Sequence, residues 1–154
     1  MGLDMYLEAR RFLWTSFGEG HHGKDDDVAA AIRATLPDMG DLKPTTVVAE
    51  AAYWRKANHI HKWFVDNVQE GNDDCGYYNV GREQLTELAD LCHEVMEDQE
   101  RAGELLPSAD GFFFGVTKYD EYYYETTAYT RDRIRELLGN EDLNSWEFYY
   151  HSSW

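Results

Sequence analysis

Long apolar runs, basic side chains, proline and cysteine are all scarce in this sequence, and each shortage excludes something. No stretch approaches the ~20 consecutive apolar residues that span a bilayer, and no charged-then-apolar leader opens the chain. A soluble, cytosolic protein with no membrane association is expected. Two cysteines, Cys75 and Cys92, are too few for a disulfide framework, and in the cytosol both are expected as reduced thiols. Three prolines and no flexible linker leave nowhere to divide the chain, so residues 1–154 read as one domain. Lysine and arginine number 14 against 30 aspartates and glutamates, a formal charge of −16. Such a surface repels nucleic acid and anionic membranes. The macromolecule it would attract is a basic protein, although acidity also serves solubility alone.

What the chain does have is apolar and aromatic mass: 43% hydrophobic and 15% aromatic side chains in 154 residues. That is too rich for a disordered polymer, and a domain of this size buries roughly 70% of its unfolded surface. Residues 2–14 begin with period-two alternation, as in a half-buried strand. Residues 15–44 read as an excursion, a Gly-rich charged loop and then a short helix through VAAAIRATL, capped by Asp27 and ended by Pro37 and Gly40. Tyr53, Ala57, Ile60, Phe64 and Val68 share helical spacing, which predicts a long first helix from Thr45 or Thr46 to Val68, closed by Gly71. CGYYNV reads as a strand or hairpin arm. Residues 82–98 form a helix with Leu85, Leu88, Cys92, Val95 and Met96 inward, GFFFGV a buried strand, and 119–138 a third helix with Tyr123, Thr127, Thr130, Ile134, Leu137 and Leu138 on one face. WEFYYHSSW closes the chain as a strand. The expected fold is α+β: a small sheet of three to four strands packed against three main helices.

The segment AYWRKANHIHKWFVDNVQ is a basic, aromatic island in an acidic chain. It suggests a pocket for a small, nucleotide-like ligand. Trp54 would stack, Arg55 and Lys62 would meet phosphate or carboxylate, and Asn58 and His61 would orient it, with Tyr77 and Tyr78 nearby. The competing reading is an amphipathic helix whose cations pair with the acidic second helix. His59 and His61 are two apart and face away from each other on a helix, so they make no helical zinc pair, and His21, His22, His93 and His151 form no ligand pattern. Asp25, Asp26 and Asp27 lack the spacing of a calcium loop. No metal and no cofactor is implied. A hydrolase or transferase could use His61 with Asp73 or Asp74. Beside those carboxylates Cys75 is a poor thiolate candidate, since neighbouring acids raise a thiol pKa. There is no GxSxG, Walker or dinucleotide motif.

The acidic candidates are Glu83, Glu87, Asp90, Glu94 and Glu97, spaced along the second helix. KYDEYYYE and WEFYYHSS add aromatic anchors, Tyr122, Tyr124, Trp146 and Tyr149, of the kind that dominate binding hot spots or equally fill a small core.

MGLDMYL, YWRKANHIHKWFV, DDCGYY, GFFFG with KYDEYYYE, and WEFYYHSSW together resemble a set of small proteins encoded by bacteriophages and prophages. The resemblance covers most of the chain except residues 15–44. It implies a genomic context rather than a chemistry: a protein in the host cytoplasm that inhibits a host nucleic-acid-handling or defence protein by binding it. The leading expectation is therefore a non-enzymatic inhibitor acting through an acidic, aromatic-rich surface on a basic partner. The small-molecule pocket and the His61 hydrolase are the alternatives.

Overall fold

Leu3, Met5, Leu7 and Ala9 alternate with polar residues. In the computed structural model, which describes residues 2–15, 23–109 and 118–154, these four are buried while Asp4, Tyr6, Glu8 and Arg10 face the other way. The alternation belongs to β1 (Asp4–Phe12). It lies inside a four-stranded antiparallel sheet with β2 (Thr46–Arg55) on one side and β4 (Glu147–Ser153) on the other. β3 (Tyr78–Val80) extends the sheet beside β4, giving the order β2-β1-β4-β3. The described helices are α1 (Lys24–Thr35), α2 (Asn58–Asn67), α3 (Arg82–Glu97), α4 (Ala102–Leu105) and α5 (Glu121–Gly139). The fold is α+β, as the sequence implies, and no described helix is long and apolar enough to cross a membrane.

One expected element is corrected. The long helix from Thr45 or Thr46 to Val68 is a strand followed by a shorter helix: β2 ends at Arg55, and only Asn58–Asn67 is helical. Lys56, at φ +56°, turns the chain between them. The alternation of β2 is itself interrupted, as the β1–β2 register shows. Leu7 pairs with Ala52 but Glu8 pairs with Glu50, so Ala51 is an extra residue, a β-bulge. A bulge inverts the in–out parity of its strand. Trp54 and Ala52 point inward on one side of it, whereas Ala49 and Val47 lie opposite Ala9 and Arg11 on the other. Tyr53, expected in the core, alternates with the inward Trp54 and so lies exposed on the outer face, while Ile60 and Phe64 are fully buried as expected. The α5 residue Arg133 donates from Nε to the carbonyl of the bulged Ala51 at 2.6 Å.

The excursion is helical earlier than its sequence suggests. α1 begins at Lys24 rather than after Asp27, with Asp25, Asp26 and Asp27 in its first turn, where the helix dipole favours carboxylates. The Asp26 side chain accepts from Gly23 N–H at 2.9 Å. The helix stops before Pro37 as expected, in a 3-10 turn over Pro37–Met39. GFFFGV, expected as a strand, lies outside the described residues.

The core sits on one side of the sheet. Phe148 and Tyr150 of β4 and Val80 of β3 meet Leu85, Leu88, Cys92 and Val95 of α3, Ile60 and Phe64 of α2, and Tyr123, Ile134 and Leu137 of α5. Phe64 stacks on Tyr150 with ring centroids 3.9 Å apart. Cys75 and Cys92 are free thiols. Burial pushes the Cys92 thiol upward in pKa, with Arg131 and Arg135 opposing.

Candidate functional site

Helices on one face leave the other face of the sheet with no described helix against it, and the strand alternation decides what that face displays. β1 contributes Asp4, Tyr6, Glu8, Arg10 and Phe12. Register places Arg55, Tyr53, Glu50 and Val48 of β2 beside them, and Ser153, His151, Tyr149 and Glu147 of β4. A ring row crosses the sheet: Tyr53 to Tyr6 at 5.3 Å, Tyr6 stacked on His151 at 4.8 Å, and His151 to Tyr77 at 4.2 Å between centroids. Below it, the Arg10 guanidinium lies 4.7 Å from the Tyr77 ring and 4.5 Å from the Tyr149 ring. Glu8 holds both rows, pairing with Arg10 at 2.7 Å and with His151 Nε2 at 3.3 Å. Tyr53 and Tyr149 donate their hydroxyls to Asp4 and Glu147. The bond to Asp4, followed by partial burial, pushes the Tyr53 phenol up to about 12. Four carboxylates and four tyrosines thus share one braced, open surface on which Tyr77 is 56% exposed.

The anticipated acidic surface is elsewhere. Glu83, Glu87, Asp90, Glu94 and Glu97 are all exposed along α3, the helix that packs on the opposite side of the sheet. Asp90 faces Arg135 at 3.6 Å and Glu94 faces Arg101 at 3.4 Å. The four anchors do not gather on that helix. Tyr149 is on the open sheet face. Trp146 is half-buried against the core. Tyr124 reaches the Gln99 carbonyl at 3.5 Å, and Tyr122 donates to the Arg55 carbonyl at the end of β2.

The residues expected to form a ligand pocket are also separated. Trp54 points into the core, 2% exposed, with its indole N–H on Thr130 Oγ1 at 2.8 Å, so it offers no face for stacking. That reverses the helical placement and follows directly from β2 being a strand. Lys62 pairs with Asp66 at 2.6 Å. Tyr77 belongs to the open sheet face, and Tyr78 donates to Asp74 at 3.0 Å. Only Arg55 and Asn58 line a common cleft, of about 290 Å³, and they do so with Lys56, His59, Lys118, Asp120, Tyr122 and Tyr123. The second half of that set comes from the start of α5, distant in sequence, and a segment-by-segment reading had no way to join it to the first. The available signal was the lysine of KYDEYYYE, next to an aspartate at the start of a helix.

His61 and Asp73 do meet, with His61 Nε2 3.1 Å from Asp73 Oδ2, while Asp74 turns away to cap Gly76 N–H. The other His61 nitrogen, Nδ1, is 2.7 Å from the Tyr150 hydroxyl, and Asp73 Oδ1 accepts from the Trp154 indole at 3.1 Å. His61 is 1% exposed and Tyr150 is fully buried. Both ring nitrogens are committed inside the core, so the chain Tyr150–His61–Asp73–Trp154 ties α2 to β4 and the C-terminal tryptophan. Among the described residues no group of three metal-ligating side chains is assembled.

Compared with known proteins, the chain matches no family model, no curated protein and no solved structure. Its surfaces are therefore read by their own chemistry.

Proposed function

We propose that this is a non-enzymatic binding protein whose working surface is the open face of its sheet, and that its partner is a basic protein. The observation that carries the reading is the coincidence of four tyrosines with four carboxylates on one braced face with no described helix against it. Lysine and arginine side chains are attracted to both: to carboxylates by charge and to aromatic faces by cation–π contact, worth about 0.5–2 kcal/mol each. Arg10 between Tyr77 and Tyr149 already shows the mode from within the molecule. Tyrosine supplies contact area at small entropic cost, and bracing by Glu8 lowers that cost further. The resemblance to phage-encoded proteins makes the partner a host nucleic-acid-handling or defence protein, blocked where it would otherwise hold a polyanion. The site of action is then the host cytoplasm.

The test uses the full chain as bait in host lysate at low salt, with captured proteins identified by mass spectrometry. A sheet-face variant, Glu50→Lys with Tyr77→Ala, is compared with an α3 variant carrying Lys at Glu87, Asp90 and Glu94. A basic protein captured by wild type and by the α3 variant, released by added DNA and lost with the sheet-face variant, is the expected result. Loss with the α3 variant instead would move the surface to the acidic helix. Capture of no basic protein at all would end the proposal.

A further inference from the structure

The cleft at the end of β2 invites a different ligand. Among the described residues at least seven basic side chains have a carboxylate within ion-pair reach, from Arg10 with Glu8 on the sheet to Arg135 with Asp90 between helices. Such pairing is easy in a chain with 30 acids. Yet Arg55, Lys56 and Lys118 have no ion-pair partner among the described residues, and all three border the same cleft. Like charges gathered in excess of counter-charge repel one another, and an anion from outside relieves that repulsion.

The backbone indicates that the gathering is built. Lys56 holds the left-handed conformation, φ +56°, which a side-chain-bearing residue adopts at a cost and which recurs at binding sites. Its amide donates to the Leu3 carbonyl at 2.7 Å. Its stem lies over Gly2 so closely that a Cβ there would be 2.9 Å from Lys56 Cε. Among the described residues one carboxylate lines the cleft, Asp120, and its Oδ1 accepts from Tyr123 N–H at 3.1 Å. His59 is buried and neutral. The tyrosine hydroxyls are committed to backbone carbonyls, Tyr122 to Arg55 and Tyr123 to Leu106, so their rings are walls rather than proton donors.

From this cluster we infer that the cleft binds a small phosphomonoester, the phosphate seated among Arg55, Lys56 and Lys118 and the organic body against Tyr122 and Tyr123. Among the described lining residues three cations and one carboxylate leave a formal +2, which matches the charge of roughly −1.5 to −2 on a phosphomonoester at neutral pH better than the single charge of a carboxylate. Arginine adds the planar fork that phosphate accepts bidentately. A volume of about 290 Å³ lies at the small end of ligand sites: room for a phosphate and one ring, and too little for a dinucleotide. The inference does not depend on the sheet face, since the two readings use different residues except for Arg55 at their border.

The experiment is a titration of the ¹⁵N-labelled full chain with ribose 5-phosphate and glucose 6-phosphate, against ribose, glucose and citrate at matched ionic strength. Arg55→Gln and Lys118→Gln are run in parallel. Expected are saturable amide shifts at residues 55–59 and 118–123 with the two phosphomonoesters only, about tenfold weaker in each variant, and variants that melt no lower than wild type. No saturable response to either phosphomonoester by ~10 mM, or an equal response to citrate, would overturn it. So would unchanged affinity in the variants, or melting well below wild type, which would mean that these cations already have partners.

Discussion

Thr127 and Thr130 are fully buried hydroxyls on the inner face of α5, and their bonding fixes the state of two neighbours. Each donates its proton to the carbonyl four residues back, Thr127 to Tyr123 at 2.7 Å and Thr130 to Thr126 at 2.6 Å. Their oxygens are left to accept, Thr130 from the Trp54 indole and Thr127 from His59 Nε2 at 3.0 Å. His59 is therefore the neutral Nε2–H tautomer. Desolvation holds it there, lowering its pKa from 6.5 to about 3. Between those values the unfolded chain carries a proton that the folded chain refuses. The stability from this residue is complete above pH 6.5 and falls with pH at about 1.4 kcal/mol per unit inside the window. Unfolding free energies from urea melts between pH 6 and 5 should fall more steeply for wild type than for His59→Gln by about that slope. Parallel slopes would show that His59 does not govern the acid limb.

At the scale of elements, the bulge in β2 is the feature most exposed to mutation. The Ala51 carbonyl, displaced from the regular ladder, accepts from Arg133, whose guanidinium also reaches Glu136 at 2.6 Å. Arg133→Met should cost about 1.5–3 kcal/mol in chemical unfolding, the range for a charged hydrogen bond to a half-buried acceptor. Glu136→Gln should change stability by no more than about 0.5 kcal/mol, because that pair is solvent-screened. Equal effects would assign the stability to the ion pair instead. The same bulge explains where sequence reading succeeded and where it failed. α3 and α5 were legible because Leu85, Leu88, Cys92 and Val95, and Tyr123, Thr127, Thr130 and Ile134, keep one period throughout. β1 and β4 were legible because their alternation is unbroken. β2 changes parity at Ala51, so its inward residues do not sit two apart across the bulge; beyond it, Tyr53, Ala57, Ile60 and Phe64 fall at helical spacing across a strand, a turn and a helix. Arg55 and Asn58 were recognisable as ligand-facing types. Lys56, His59 and Lys118 gain that role only from the tertiary turn at Lys56 and the docking of α5.

For the molecule as a whole, the −16 charge sets how stability and binding respond to salt. Uncompensated acids repel within the compact state more than in the expanded chain. Raising NaCl from 10 to 150 mM shortens the screening length from about 30 to 8 Å. The melting temperature should therefore rise over that interval, while capture of a basic partner on the sheet face should weaken. A melting temperature that falls with salt would mean that attractive pairs outweigh the net repulsion. The strand order has a consequence of another kind, for the order of synthesis. β1 is made first, yet one of its two neighbours is β4, made after every other described element. While a ribosome is still translating the helices, β1 can pair on one side only, and Phe64 waits without the Tyr150 ring it will stack upon. The sheet closes after β4 has left the exit tunnel. A message broken upstream of Glu147 yields a chain with β3 unpaired and one edge of β1 bare, a substrate for proteases rather than a weaker version of the protein.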